Sequence, residues 1–358
     1  MMPLIVDGLA FFLAMVLAMY GTPLARQAAL RFNIIDRPDG RLKHQSEPVP
    51  YLGGLAIYLS FLVTLALTFE FSHAVLGLLL AGTIIVMLGL IDDFGVLTPG
   101  AKFIGQLVAV FVLMKSGIRI ELAFLPYWAQ VALTVVWMVG LINAFNIIDV
   151  MDGLAGGVAV VSSVVLFVVA VATGDEDAPV QMAALAGGLI GFLRYNWYPA
   201  KIYMGDAGSM FVGFLLGAVT MTLQYTHRSV VGLFAPVLIL GVSIFDTFFV
   251  MAIRYMRGIP IFLGSPDHFA LRLRRWNMTV PQIVALSCAV SLLLGLAGLG
   301  VVWLPFGQAL VIVASASALA LAAGVWLKRV EMVRTDDAHR TVDHPKKAPQ
   351  QTGMTNGR

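Results

Sequence analysis

Eleven apolar runs, each close to the length that crosses a bilayer, leave this sequence few folds to choose from. At a rise of about 1.5 Å per residue, about 20 apolar residues are needed to span the hydrocarbon core. The runs fall at 2–24, 51–69, 74–91, 101–116, 127–147, 154–173, 180–195, 207–225, 230–254, 281–303 and 308–327, the fourth and seventh being short. Charged residues make up 12% of the 358, roughly half the share usual in soluble chains, so the surface is not built for water. The expected fold is all-α: a polytopic integral membrane protein of about eleven transmembrane helices. Residues 1–327 form the membrane-embedded domain, and the polar stretch 328–358 is expected to be a disordered cytoplasmic tail. Cys288 is the single cysteine and lies in an apolar run, so its expected role is packing.

Orientation follows from where the cations fall. No basic segment precedes the first run, whereas Arg26 and Arg31 follow it, which predicts an uncleaved anchor with its N-terminus outside. With that parity, 20 of the 23 Lys and Arg residues lie in cytoplasmic segments, and only Lys115, Arg119 and Arg228 lie outside. The acidic turn Gly174-Asp-Glu-Asp177 falls outside as well.

The same parity gathers the unusual polar residues at the cytoplasmic ends of the helices. Asp92 and Asp93 close the third run. Asn143, Asn146, Asp149 and Asp152 close the fifth at steps of three, a spacing that keeps the first three on one side of a helix. Asn196 ends the seventh, Asp206 opens the eighth within Gly205-Asp-Ala-Gly-Ser209, and Asp267-His268 lies in the loop after the ninth. Adjacent carboxylates at a helix C-terminus repel one another and the dipole, so Asp92-Asp93 calls for a cation. Asp206 taken alone reads as an N-cap, but Gly205 and Gly208 beside it and the other carboxylates reverse that. Asp246, two turns before Arg254, reads equally as the partner of a basic side chain or as part of a site. Carboxylates without a Cys or His set favour a hard divalent ion, with Mg²⁺ the usual choice beside phosphates. The basic loops, with Arg37, Arg41, Lys43, His44, Arg254, Arg257 and Arg272, would then face a polyanion, although anionic lipid would attract them too.

In this order and on these helix ends, the residues resemble the polyprenyl-phosphate N-acetylhexosamine-1-phosphate transferase family, nearest its undecaprenyl-phosphate N-acetylglucosamine-1-phosphate branch. The resemblance runs from about Arg37 to Pro281 and rests on His44 to Gly54, Asp92-Asp93, Lys102, Asn143 to Gly157, Asn196 to Ser209, Asp246 and Asp267-His268. It implies transfer of a sugar-1-phosphate from a UDP-N-acetylhexosamine to a polyprenyl phosphate, with release of UMP. The transfer would be Mg²⁺-dependent, with Mn²⁺ as the alternative ion, and would take place at the cytoplasmic face of the bacterial inner membrane. By that resemblance Asp206 ligates the metal, and Asp92 or Asp93 deprotonates or orients the lipid phosphate. Asp149, Asp152, Asn146 and Asn196 hold the metal–diphosphate and nucleotide, Tyr203 lies over the uracil, and Lys102 and His268 neutralise phosphate. Asn143, His44 and Asp246 join the substrate-binding set. A homodimer is implied and no nucleic-acid partner is expected.

Three motifs depart from the family pattern. Val96 replaces the last carboxylate of Asp-Asp-x-x-Asp, Val150-Met151 interrupts the usual Asp-Gly-x-Asp-Gly, and Ala270 and Leu271 stand where histidines are common. Two other functions stay open at this point. A transporter would place its charges near the midplane and show inverted repeats, neither of which is seen. A lipid-binding scaffold without turnover would tolerate the three departures. A different UDP-N-acetylhexosamine donor is the nearest alternative within the transferase reading.

Overall fold

A computed structural model describes residues 2–36, 48–68, 72–226, 228–260 and 267–330. His44 and the neighbouring Arg37, Arg41 and Lys43 lie outside the described residues, as does the tail from 331 onward. The chain is helical nearly throughout: α1 (Met2–Arg31), α2 (Gly53–Thr68), α3 (His73–Asp93), α4 (Pro99–Lys115), α5 (Tyr127–Ile148), α6 (Leu154–Thr173), α7 (Ala178–Asn196) and α8 (Gly205–Thr222). A 3-10 turn (Val230–Phe234) leads into α9 (Ala235–Ile239), followed by α10 (Gly241–Met256), α11 (Phe269–Arg275), α12 (Val280–Trp303) and α13 (Phe306–Lys328). Two short antiparallel strands, β1 (Ile35–Asp36) and β2 (Val49–Pro50), pair with Ile35 opposite Pro50.

Each expected apolar run overlies helix. Among the described residues, seven helices (α1, α3, α5, α6, α8, α12 and α13) are long and apolar enough to cross a bilayer alone, whereas α2 and α4 are shorter than a full span and α7 is not among the seven. The run at 230–254 is not one straight helix, as expected, but bends by 77° between α9 and α10. The bend falls at Leu240-Gly241, just after the single helical turn of α9, which has Pro236 in its first turn. The Ser162 hydroxyl of α6 donates to the Ile239 carbonyl at 3.2 Å, and so supplies a partner at the break that a bilayer could not. Hydropathy is continuous across this stretch and carries no mark of the bend.

α8 is the axis of the bundle, buried from Ala207 to Thr220 and flanked by α2, α3 and α5. Small residues set how closely its first turn is held. A Cβ on Gly54 of α2 would lie 2.2 Å from the Gly208 nitrogen, and one on Gly89 of α3 would lie 2.4 Å from the Ala207 Cα. Such backbone approach is how helices associate where lipid gives no hydrophobic drive. At the periphery, α13 has only 6% of its apolar window buried, so its side chains face outward. Cys288 is half-buried and packs on α6, since a Cβ on Gly157 would meet its Sγ at 2.8 Å.

Gly89→Ala therefore forces α3 away from backbone rather than from a movable side chain. We expect it to destabilise the protein by about 1–3 kcal/mol, the usual range for overpacking. Thermal unfolding in detergent measures this, and an unchanged midpoint would contradict the packing described.

Candidate active site

The first turn of α8 carries Asp206, and the neighbouring helices are arranged around it. Gly205 has φ +71°, a left-handed conformation open to glycine, and a Cβ there would strike the Asp93 carboxylate at 2.7 Å. Met204 precedes the helix and makes no side-chain cap. The cap comes instead from the end of α3, where Asp93 accepts the Asp206 N–H at 2.7 Å and the Ala207 N–H at 3.4 Å. Free N–H groups and the positive end of the dipole make this a favourable place for a carboxylate. Asp206 is thus not the cap of its own helix. Asp93 caps it from another element, and this separates Asp93 from Asp92.

Asp92 instead meets Lys102, whose Nζ lies 2.6 Å from Asp92 Oδ2 and 2.8 Å from Asp206 Oδ2. The same ammonium donates to Asn146 Oδ1 at 3.2 Å. Asn146 donates in turn to Asp206 Oδ1 at 2.9 Å and to the Ser209 hydroxyl at 3.0 Å. One cation thereby ties the ends of α3, α4, α5 and α8 together. Thr98 supports it by capping α4 through the Ala101 N–H, which orients the first turn that carries Lys102.

Asp149 follows directly on α5 and is half-buried, and among the described residues its carboxyl makes no hydrogen bond. Burial, then the charges of Asp206, Asp93 and Asp152, push it up to about 7. Burial also raises Asp152, but its Oδ2 accepts the Ala200 N–H at 2.9 Å, and Arg274 acts in the same lowering direction. Asn196 is buried and joins these two loops, since it accepts the Gly153 N–H at 3.0 Å and donates to the Ile202 carbonyl at 2.9 Å. Tyr203 is half-buried at the edge, its ring 6.4 Å from that of Tyr51, and its N–H donates to the Pro50 carbonyl.

Not every expected residue joins this centre. Asn143 exchanges hydrogen bonds with Gln106 at 2.9 and 3.3 Å, one turn along both helices from the Lys102–Asn146 contact. Gln106 was not singled out in the sequence, although its spacing of four from Lys102 places the two on one face of α4. Asp246 and His268 form a separate buried cluster. His268 Nδ1 lies 2.8 Å from Asp246 Oδ2, and Asp246 Oδ1 accepts the Phe269 N–H at 3.0 Å. Asp246 thus has a basic partner in His268, from the loop beyond its helix. Beside them Asp267 binds Arg257 at 2.7 Å and Arg272 at 2.9 Å.

Arg272 corrects the expectation that the basic loop simply faces a polyanion. It is fully buried and donates to the carbonyls of Leu327 and Val330, which fastens α11 to the end of α13. A buried guanidinium needs several acceptors, and the C-terminal end of a helix offers carbonyls left without intrahelical partners.

The donor set fits a hard cation. One ammonium serves two carboxylates, Asp92 and Asp206, while Asp93 and Asp149 add negative charge nearby without touching it, and all candidate ligands are oxygens. Among the described residues no three carboxylate, histidine or cysteine side chains converge tightly enough to hold a metal ion by themselves. An ion here would take one or two carboxylates and complete its shell with water and phosphate oxygen, which is the habit of Mg²⁺.

Fold and centre together define a class: a polytopic helical membrane protein with an acidic, lysine-bridged centre where its helices end. Over residues 75–224, the stretch from α3 to just past α8, the sequence matches glycosyl transferase family 4. It is 30% identical to a Bacillus subtilis protein named "probable undecaprenyl-phosphate N-acetylglucosaminyl 1-phosphate transferase", across 75% of this chain and 78% of that one. It is 32% identical to the decaprenyl-phosphate N-acetylglucosaminephosphotransferase of Mycolicibacterium smegmatis, across 73% of each. With the phospho-N-acetylmuramoyl-pentapeptide-transferase of Halalkalibacterium halodurans it shares 33% identity, over 75% of this chain and 88% of the relative. The chain belongs to the polyprenyl-phosphate N-acetylhexosamine-1-phosphate transferase family.

Lys102→Met removes the bridge and leaves its carboxylates facing one another. We expect a loss on the order of 2 kcal/mol, less than for a fully buried pair because the site is partly open. Millimolar Mg²⁺ should raise the unfolding temperature of the variant more than that of the parent. Equal responses would show that the centre does not draw a cation.

Proposed function

We propose that this protein transfers N-acetylhexosamine-1-phosphate, with N-acetylglucosamine-1-phosphate the first choice, from a UDP-sugar to undecaprenyl phosphate. The observation that carries the reading is the contact set of Asp92, Lys102, Asn146 and Asp206, drawn from four helices to one end of the bundle. An oxygen of the lipid phosphate attacks the phosphorus that bears the sugar. The bond from that phosphorus to the bridging oxygen breaks, UMP leaves, and a lipid-linked diphosphate sugar remains. Such transfer asks a protein for positioning and for charge stabilisation on phosphate oxygens.

Asp206 and Asp149 are the residues proposed to hold Mg²⁺, which when bound neutralises diphosphate charge. Lys102 swings between carboxylate and phosphate as a movable point charge. Asp92, whose carboxylate is engaged by a side chain rather than by backbone, is the better placed of the pair to orient or deprotonate the lipid phosphate. Asp93 positions Asp206 through its N–H group. Asn146, Asp152, Asn196 and Tyr203 frame the nucleotide side, while His268, oriented by Asp246, supplies a further contact to phosphate.

A soluble donor and an insoluble acceptor can meet only at an interface, in keeping with a centre at helix ends. The proposed topology counts the bent α9–α10 pair as one of eleven crossings, with the N-terminus outside and the centre facing the cytoplasm. Its support is the skew of 20 of 23 cations to that side. The protein is placed in a bacterial inner membrane, as a homodimer by family resemblance.

Purified protein should release UMP from UDP-N-acetylglucosamine only when polyprenyl phosphate and Mg²⁺ are both present. Release without the lipid would overturn the reading. Asp206→Asn keeps shape and removes charge, and should lower kcat by at least about 10²-fold while the protein elutes as a folded species. A screen of UDP-sugars with the product weighed by mass spectrometry identifies the sugar.

A further inference from the structure

The ends of α3, α7 and α8 opposite the acidic centre enclose a second polar cavity, of about 240 Å³. Val75 and Asp92 mark the two ends of α3 and lie about 25 Å apart at 1.5 Å per residue, so this cavity is remote from the centre. Val75, Leu78, Ile118 and Val219 give it an apolar wall. Asp175, Glu176 and Asp177, from the turn between α6 and α7, give it an acidic rim, and among the described residues no lysine, arginine or histidine lines it. Gln181, one turn into α7, also lines it, is 5% exposed, and makes no side-chain hydrogen bond among the described residues. A buried amide without a partner is costly, and one that opens into a cavity points to a ligand that completes it. The Tyr225 hydroxyl, within the field of Asp175, is likewise buried without a partner among the described residues.

We propose that this cavity binds a primary ammonium group carried on an apolar body. A chelated metal ion fits less well. Asp175 Oδ1 is already taken by the N–H groups of Asp177 and Ala178, and among the described residues no three acidic side chains converge on a metal-binding point. An ammonium has three N–H donors for separate acceptors, here the Gln181 amide oxygen and the exposed Glu176 carboxylate with its neighbours on the rim, while its carbon body meets the aliphatic wall. Burial, then Asp175 and Glu176, already raise the Asp177 carboxyl, so a cation would relieve this rim. Two sources share this chemistry: a phosphatidylethanolamine headgroup and a soluble polyamine.

Native mass spectrometry of the full chain separates them. The probes are phosphatidylethanolamine, phosphatidylcholine with the same acyl chains, which has the charge without N–H donors, and spermidine. Phosphatidylethanolamine should bind at least about tenfold more tightly than phosphatidylcholine, the equivalent of one net hydrogen bond to a charged group. Gln181→Leu should abolish the preference, and the exposed Glu176→Gln should weaken it even if the first variant misfolds. Spermidine binding without a lipid preference would assign the site to a soluble amine. Equal binding of the two lipids with no spermidine bound, or a preference untouched in both variants, overturns the proposal. The assay needs no turnover, so its outcome is independent of the transfer reaction.

Discussion

Carboxylates set among packed helices need a countercharge, and one lysine supplies it here for two of them at once. Lys102 can reach both Asp92 and Asp206 only because α3, α4 and α8 end at the same level and close together. That closeness is written in small side chains. Gly54, Gly89 and Gly208 let backbones approach to a distance at which any Cβ would collide. The electrostatics of the centre therefore rest on the packing of the helices, and a shift of α8 by an ångström would break both.

The division of work between neighbouring acids follows from the same geometry. Asp92 and Asp93 are adjacent in sequence but point to different partners, an ammonium and a pair of backbone N–H groups. A carboxylate that caps a helix is fixed by that helix, whereas one that faces a flexible lysine can exchange it for another cation. Asp149 completes the contrast: it accepts no hydrogen bond among the described residues and is raised to about 7 by burial and like charge. Three carboxylates within one site thus have three different needs, and only the needs of Asp92 and Asp149 are open to an incoming ligand.

Much of this was legible in the sequence, for a physical reason. Long apolar runs mark helices wherever lipid is the solvent, and acids and amides at their ends stand out because hydrocarbon tolerates so few of them. What could not be read was relative placement. The bend at Leu240-Gly241 was hidden because apolar character continues through it. The neighbouring glycines and carboxylates marked Asp206 as more than a cap, but nothing local reveals that Asp93 arrives from another helix to cap α8. Arg272 read as a loop cation facing a polyanion or anionic lipid, because its acceptors, the carbonyls of Leu327 and Val330, lie more than fifty residues further along the chain.

That buried arginine also bears on the positions where histidines would be common. Phe269, Ala270 and Leu273 pack α11 into the bundle while Arg272 holds it to α13. A histidine at 270 would have to bury a polar ring where Ala270 is fully enclosed, and burying an unpartnered polar group is costly. The loop has been committed to packing at that position, and His268 is left as the polar residue at its entry, held through Nδ1 by Asp246. With Nδ1 engaged, only Nε2 remains to meet a ligand. The direction of that nitrogen is fixed by Asp246, a carboxylate that the solvent does not reach.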